Sequence, residues 1–196
     1  NIDTLKKFDK AYFQMYPYLL SNDYISFNDL KEKNLLEVGL GFGSLSQKLL
    51  EAGAHYTGLD IASAPVDLVS KRISWSNFKG KVKKGNFLKP IFPKESFDII
   101  VAIGCFHHTG DLRSSIEQCY SLLHKNGKLI FMVYSAYSHR RWLFSPINTC
   151  NYLYKEFLGY RDVVGSATNY ERAMYDSYTK NGKIESAPHT DFISTR

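Results

Sequence analysis

Asn34–Ala62 reads NLLEVGLGFGSLSQKLLEAGAHYTGLDIA, and this stretch decides the fold. A short apolar run, Leu35–Val38, ends in three glycines at alternate positions, Gly39, Gly41 and Gly43. Glycine belongs where the backbone turns tightly or must lie close to a ligand, because it enters positive φ at no steric cost. Leu45, Leu49 and Leu50 then recur at helical spacing, so a helix opens directly after the loop. Ser44 and Gln47 stand three apart, as in a capping box. Gly53 suits the helix exit. His55–Asp60, HYTGLD, is a second strand that ends in an acid.

The alternation continues downstream. Ala64–Ile73 reads as a second helix, with Pro65 tolerated in its first turn. Lys81–Phe87 is a weak third strand, and Ser96–Phe106, SFDIIVAIGCF, is a fourth. The fourth is continuously apolar, as strands buried on both faces of a parallel sheet are. Asp111 starts a helix whose expected apolar face is Leu112, Ile116, Cys119, Tyr120 and Leu123. Lys125–Gly127 is a turn, because Asn-Gly tolerates positive φ, and Lys128–Ser135 is a fifth strand. The fold class is therefore α/β, a doubly wound, mainly parallel sheet with helices on both faces. Such sheets bind ligands beyond the carboxyl ends of their strands, near the switch in strand order.

Residues 1–33 are mixed polar and aromatic and read as a helical cover, packed on the sheet or serving as part of a lid. Residues 34–135 are the core. Residues 136–196 are rich in aromatics: eight of the fourteen tyrosines lie between Tyr134 and Tyr178. A helix is expected around Pro146–Leu158, and no strong strand after it. The aromatics there either line an apolar acceptor pocket or pack helices against one another.

Composition bounds the classes. At 196 residues, 44% hydrophobic and 22% charged, the chain reads as one globular domain. The longest apolar run, Ile99–Phe106, is far short of the ~20 residues of a membrane helix. No signal peptide is expected from NIDTLKKFDK. Cys105, Cys119 and Cys150 are odd in number and widely spaced, which suggests neither disulfides nor a zinc site and fits a reducing cytoplasm. No metal constellation is visible. The net charge of +6 is weak grounds for an RNA partner.

The glycine spacing has chemical content. GxGxG differs from the dinucleotide fingerprint GxGxxG, whose third glycine would fall at Ser44, and no GK[ST] follows for a phosphate loop. A helix N-terminus favours a carboxylate or phosphate. Asp60, nineteen residues past Gly41, can accept hydrogen bonds from vicinal ribose hydroxyls. Loop and acid together suit a ligand with a ribose and a small charged tail.

On these residues Leu35–Ala62 resembles the first motif and second-strand acid of class I S-adenosylmethionine-dependent methyltransferases. Gly85–Leu112 and Leu122–Ser135 resemble the motifs that follow, and the nearest likeness is to the small-molecule, ubiquinone/menaquinone-biosynthesis-type branch. The resemblance covers residues 34–135 and implies a Rossmann-like core that binds S-adenosyl-L-methionine and releases S-adenosyl-L-homocysteine. It implies that Gly39, Leu40, Gly41 and Gly43 shape the methionine-tail pocket, with Glu37 near the amino group. Asp60 would hold the ribose hydroxyls and Ile61 would pack on the adenine. Asn86 and Phe87 stand where the family contacts adenine, Asn86 often being Asp there. Gly104 and Cys105 fall near the sulfonium. Should the methyl acceptor need to lose a proton, His107, His108, Tyr134 or His139 are candidate bases. The alternative role for His107 and His108 is to shape the loop after the fourth strand. Asp98 reads as structural, Cys105 and Cys119 as core cysteines, and Arg140-Arg141 as a solvated pair or a clamp for an acidic acceptor.

One departure stands out. The family's sheet usually closes with two further strands, and no convincing pair follows Ser135. The expectation is a truncated chain with that pair missing and one sheet edge open. The expected partner is a small-molecule acceptor, with no membrane span. RNA methylation and a non-catalytic ligand-binding domain are the alternatives. The place after the fourth strand reads Gly104-Cys105-Phe106-His107 rather than the Asn-Pro-Pro-Tyr-like tetrapeptide of some base-amino methylases.

Overall fold

The computed structural model describes residues 2–21, 23–175, 177–180, 183–187 and 189–194. The chain divides into two compact units: Asn1–Ile103 with Ile116–Phe131, and Gly104–Ser115 with Met132–Arg196.

The first unit holds α1 (Ile2–Met15), β1 (Asn34–Val38), α2 (Ser44–Glu51), β2 (His55–Asp60), α3 (Ser63–Ser76), β3 (Gly80–Lys84) and β4 (Phe97–Ile103). It ends with most of α4 (Leu112–Leu122) and with β5 (Leu123–Met132). The central sheet has the order β3-β2-β1-β4-β5. β1 pairs in parallel with both β2 and β4, Leu35 facing Tyr56 on one side and Ile99 on the other. The strand order therefore reverses between β1 and β4, the switch that locates ligand sites in doubly wound sheets. Burial follows the sequence pattern: Leu35, Leu36, Ile100, Val101 and Ala102 are fully buried, as are Leu45, Leu49 and Leu50 of α2. Asp98, read as structural, accepts the Asn34 backbone N–H at 2.9 Å and so ties β4 to the start of β1.

The second unit holds α5 (His139–Phe144), α6 (Pro146–Phe157), β6 (Val163–Ser166), α7 (Asn169–Tyr175), β7 (Ser177–Lys180), β8 (Lys183–Ser186) and β9 (Asp191–Ile193). Its core is Ala136, Tyr152, Val164, Ala167 and Phe192. The side chains of Tyr175 and Tyr178, counted in the aromatic stretch, lie outside the described residues.

Several expectations need correction. Strands do follow Ser135: β6 pairs with β9 and β7 with β8, both antiparallel. They form two separate two-stranded sheets and leave β5 at the end of the central one. Each has only three or four residues, too few for a legible alternation, and the β6–β9 register shifts between Val163 and Gly165. The capping box does not form. Gly43 is the N-cap of α2, in left-handed geometry and with no side chain to offer, and the Ser44 hydroxyl donates to Asp9 instead. The buried face of α4 is Leu112, Ser115, Cys119 and Leu122, while Tyr120 is 85% exposed. Ser115, a small polar residue, takes one of those positions, which a hydrophobicity pattern misses. Asn126 adopts the expected positive φ of 67°, yet strand geometry runs through it from Leu123 to Met132. Arg141 is neither solvated nor free to clamp an acceptor. It is buried in an ion pair with Glu171, its guanidinium 3.9 Å from the centre of the Phe192 ring.

Candidate active site

The glycine loop leaves β1 through three left-handed residues, with φ of +81° at Gly39, +50° at Gly41 and +74° at Gly43. Hydrogen bonds from Gly39 N–H to the Leu59 carbonyl (2.9 Å) and from Gly43 N–H to the Leu40 carbonyl (2.8 Å) hold its two ends. The glycines differ in surroundings. A Cβ on Gly43 would sit 2.8 Å from Val69 Cγ2 and 3.0 Å from Arg72 Cδ, whereas one on Gly41 would meet nothing within 4 Å. Gly43 thus brings α2 and α3 together, and Gly41 borders open space at the carboxyl end of β1.

Asp60 faces the same loop. Its Oδ2 accepts the Leu40 N–H at 2.8 Å and its Oδ1 accepts the Ala62 N–H at 2.8 Å. Each carboxylate oxygen has further acceptor capacity, so the group is fixed in direction and still able to receive hydroxyls. Leu40 itself is buried, while the neighbouring Ile61 is 68% exposed, an apolar surface beside an oriented carboxylate. Asn86 uses its side-chain oxygen to accept the Leu88 N–H at 3.0 Å, and Phe87 is buried.

Glu37, on β1 just before the loop, is buried and accepts two hydroxyls, from Ser46 at 2.6 Å and Tyr56 at 2.5 Å. Burial pushes its carboxyl pKa up to about 7; the two hydroxyls act against the rise and the Asp60 charge adds to it. Burial, then the neighbouring Glu37, raises the Tyr56 phenol. Gly58, beside Glu37 in the β1–β2 register, leaves room for that phenol, since a Cβ there would lie 2.7 Å from the Tyr56 hydroxyl. Sequence reasoning missed Ser46 and Tyr56. Tyr56 stands two residues before Gly58 on β2 and so points to the same face, which was the available signal.

A second omission is the anchor of α1. Arg72 donates to both carboxylate oxygens of Asp9, at 2.9 and 2.8 Å, and its Nε donates to the Phe42 carbonyl at 2.9 Å. The Ser44 hydroxyl donates to Asp9 at 2.6 Å, and the Phe8 and Phe42 rings lie 4.6 Å apart. The N-terminal helix is therefore fastened to the glycine loop and to α2 and α3.

The other candidates lie in the second unit. Gly104, with φ +73°, donates its N–H to the Met132 carbonyl at 3.0 Å, and Cys105 is half-buried. Phe106–His108 form one tight turn. His107 is fully buried, stacked 4.0 Å from the Tyr134 ring, and neither ring nitrogen has a partner among the described residues. Burial, then the adjacent His108, lowers its pKa to about 3, so the ring stays neutral and takes up a proton poorly. His108 is half-buried, with Nδ1 2.8 Å from the His189 carbonyl oxygen and 3.1 Å from Thr190 Oγ1. His139 is exposed at the start of α5. Among the described residues no group of three or more His, Cys, Asp or Glu could hold a metal ion.

A five-stranded sheet with its order reversed at β1–β4, a glycine loop and an oriented acid after β2 define a class I methyltransferase core. Residues 36–131 match the methyltransferase-domain family. The chain is 32% identical over 116 residues to a ubiquinone biosynthesis O-methyltransferase of Actinobacillus pleuropneumoniae serotype 7 (strain AP76), covering 56% of this chain and 50% of that protein. It is also 32% identical over 132 residues to the protein of the same name from Pasteurella multocida (strain Pm70), covering 62% of this chain and 54% of that one. The chain thus spans about half the length of the curated relatives it matches. Among solved structures, an S-adenosylmethionine dependent methyltransferase from Mesorhizobium loti superposes with a TM-score of 0.51 at 18% identity, over 59% of this chain and 55% of that one. The YcgJ protein of Bacillus subtilis superposes with a TM-score of 0.52 at 21% identity, over 57% and 50%. At these identities the structural likeness establishes the fold.

Proposed function

We propose that the protein binds S-adenosyl-L-methionine through the glycine loop and Asp60 and methylates a hydroxyl group of a small molecule. One observation carries the cofactor half: the Asp60 carboxylate is fixed by the Leu40 and Ala62 amides beside a glycine whose missing Cβ opens on free space. Asp60 receives the ribose hydroxyls, Ile61 offers an apolar surface to the base, and Asn86 and Phe87 bound the same end of the sheet. Gly39, Leu40, Gly41 and Gly43 admit the charged tail, and Glu37 answers its amino group. The bound cofactor supplies a methyl group already activated on a sulfonium. What remains for the chain is to orient the acceptor and exclude water, which together can supply ~7–11 kcal/mol. The family resemblance assigns Gly104 and Cys105 to the reacting end of the cofactor, and His107, His108 and Tyr134 to the acceptor side.

The hydroxyl acceptor is favoured by the names of the two relatives above, both ubiquinone biosynthesis O-methyltransferases. No helix among the described residues is long and apolar enough to cross a membrane, and the three thiols are free, which suits a reducing, cytoplasmic setting.

Calorimetric titration with S-adenosyl-L-homocysteine tests the cofactor half. Wild type should bind with micromolar affinity, and Asp60→Ala should weaken binding at least ~100-fold, as loss of a charged acceptor for two hydroxyls implies. Equal affinities in folded wild type and variant would overturn the site. Incubation of the protein with cell extract and methyl-labelled donor tests the acceptor half. Label in organic-extractable small molecules is expected, and label in bulk RNA would overturn it.

A further inference from the structure

Three helices of the first unit line a cavity of about 500 Å³ that includes none of the residues assigned to the cofactor. That volume is within the range of small-ligand pockets. The walls follow from helical spacing. On α1, Leu5, Asp9 and Phe13 stand four apart in one stripe, and Lys6, Lys10 and Gln14 form the stripe beside it. α2 contributes Ser44, Gln47, Lys48 and Glu51, and α3 contributes Arg72, Trp75 and Ser76. Leu20, from the tight turn Pro17–Leu20, also lines the space.

The charges in this lining do not balance. Asp9 is paired with Arg72 at 2.8 Å, and Glu51 with Lys48 at 2.7 Å. The deeply buried Ser44 and Arg72 are both committed to Asp9. The side chains of Lys6 and Lys10 have neither a hydrogen bond nor an ion pair among the described residues. They are exposed at the mouth of the cavity, four apart on one helix, and like charges so placed repel. An anion beside them would remove that repulsion. What else remains for a ligand is apolar: Phe13 is buried, and Trp75 leaves half of its surface exposed. Leu5 and Leu20 extend the same surface.

We propose that this cavity binds an aromatic carboxylate, with the ring against Phe13 and Trp75 and the carboxylate facing Lys6 and Lys10. Two aromatic side chains from two different helices favour a flat apolar body. Two lysines against four apolar side chains favour a ligand with one compact anionic end. The site is separate from the glycine loop and Asp60, and it does not depend on the methyl-transfer reading.

The chain has two tryptophans, so Trp142→Phe leaves Trp75 as its one indole. The indole N–H signal in a nitrogen-15 NMR titration of that variant then reports on the cavity directly. The probes are 2-naphthoate and 2-naphthylmethylamine, which share a ring system and carry opposite charges. 2-Naphthoate should shift the Trp75 signal saturably with a Kd below ~1 mM, within reach of a ligand of its size. The amine should bind at least ~10-fold more weakly. Lys6→Glu together with Lys10→Glu turns two attractions into two repulsions and should weaken 2-naphthoate about 10-fold. Should that double variant fail to fold, the comparison of the two probes on the parent variant decides. Saturation with S-adenosyl-L-homocysteine should leave the 2-naphthoate titration in place. An unmoved Trp75 signal, equal binding of the two probes, or an affinity indifferent to the lysine reversals in a folded variant would overturn the inference. Displacement of 2-naphthoate by S-adenosyl-L-homocysteine would overturn it too, since the probe would then be reading the cofactor site. Failure of S-adenosyl-L-homocysteine itself to bind counts against the methyl-transfer reading alone.

Discussion

Gly41 and Gly43 show how two residues of one motif answer to different demands. Both have positive φ, but a Cβ on Gly43 meets Val69 Cγ2 at 2.8 Å, and one on Gly41 meets nothing. Gly43→Ala combines left-handed strain of ~1–2 kcal/mol with overpacking of ~1–3 kcal/mol. It should lower stability by about 2–5 kcal/mol in urea melts. Gly41→Ala carries the strain alone and should melt within about 2 kcal/mol of wild type. It should nonetheless lose S-adenosyl-L-homocysteine affinity at least ~10-fold, because the added methyl enters the space assigned to the ligand. Variants with the same stability loss and unchanged affinities would show that the open space is not used. The glycines and Asp60 were legible because their chemistry needs those residue types in that order. Ser46 and Tyr56 were not, since a serine on a helix and a tyrosine on a strand are ordinary residues. Only the parallel register of β1 with β2 brings the Tyr56 hydroxyl to Glu37.

At the scale of elements, the alternation of strand and helix from β1 to β5 followed from apolar periodicity and turn residues, and its strand order is the one that alternation implies. Polar anchors were less readable. Asp9 and Arg72 are 63 residues apart, and a hydrophobicity pattern assigns both to solvent. Arg72 is only 3% exposed and Asp9 17%. Removing one partner strands the other: breaking a buried pair costs ~3–5 kcal/mol, and the partial exposure of Asp9 reduces this to about 2–3. Asp9→Ala should therefore destabilise by about that much. It should also free α1 from the loop, with Lys6, Lys7 and Lys10 becoming rapid trypsin sites. Asp9→Ala with Arg72→Met removes both charges and keeps the packing of the long stem, so the double variant should be more stable than the two single losses summed. Strict additivity across this cycle would mean that α1 is held by its ring contact between Phe8 and Phe42 rather than by charge. The short strands β6 to β9 stayed hidden for a different reason, since three or four residues give a pairing no periodicity of its own.

For the whole molecule, two buried titratable groups with opposite displacements shape stability against pH. Glu37, in the first unit, has its pKa raised from 4.5 to about 7. Its neutral form is the one the fold prefers, so its contribution is complete below about pH 4.5 and is lost as pH rises through 7. The interval corresponds to about 3 kcal/mol. His107, in the second unit, has its pKa lowered from 6.5 to about 3. The fold again prefers the neutral form, but here the contribution is complete above about pH 6.5 and is lost as pH falls towards 3. The variants that remove each titration should therefore depend on pH in opposite senses. Glu37→Gln keeps a carbonyl oxygen for the Ser46 and Tyr56 hydroxyls and should gain stability relative to wild type on going from about pH 5 to about pH 8, by about 2–3 kcal/mol. In a chain of this size that is a relative rise in melting temperature on the order of 5 °C. His107→Phe keeps the ring stacked on Tyr134 and should gain relative to wild type over the reverse interval, from about pH 8 to about pH 5. Scanning calorimetry of the three proteins at both pH values measures these differences directly. A pH-independent offset in either variant would mean that the residue is not held neutral by burial, and parallel shifts of the same sign would remove the opposition between the two groups.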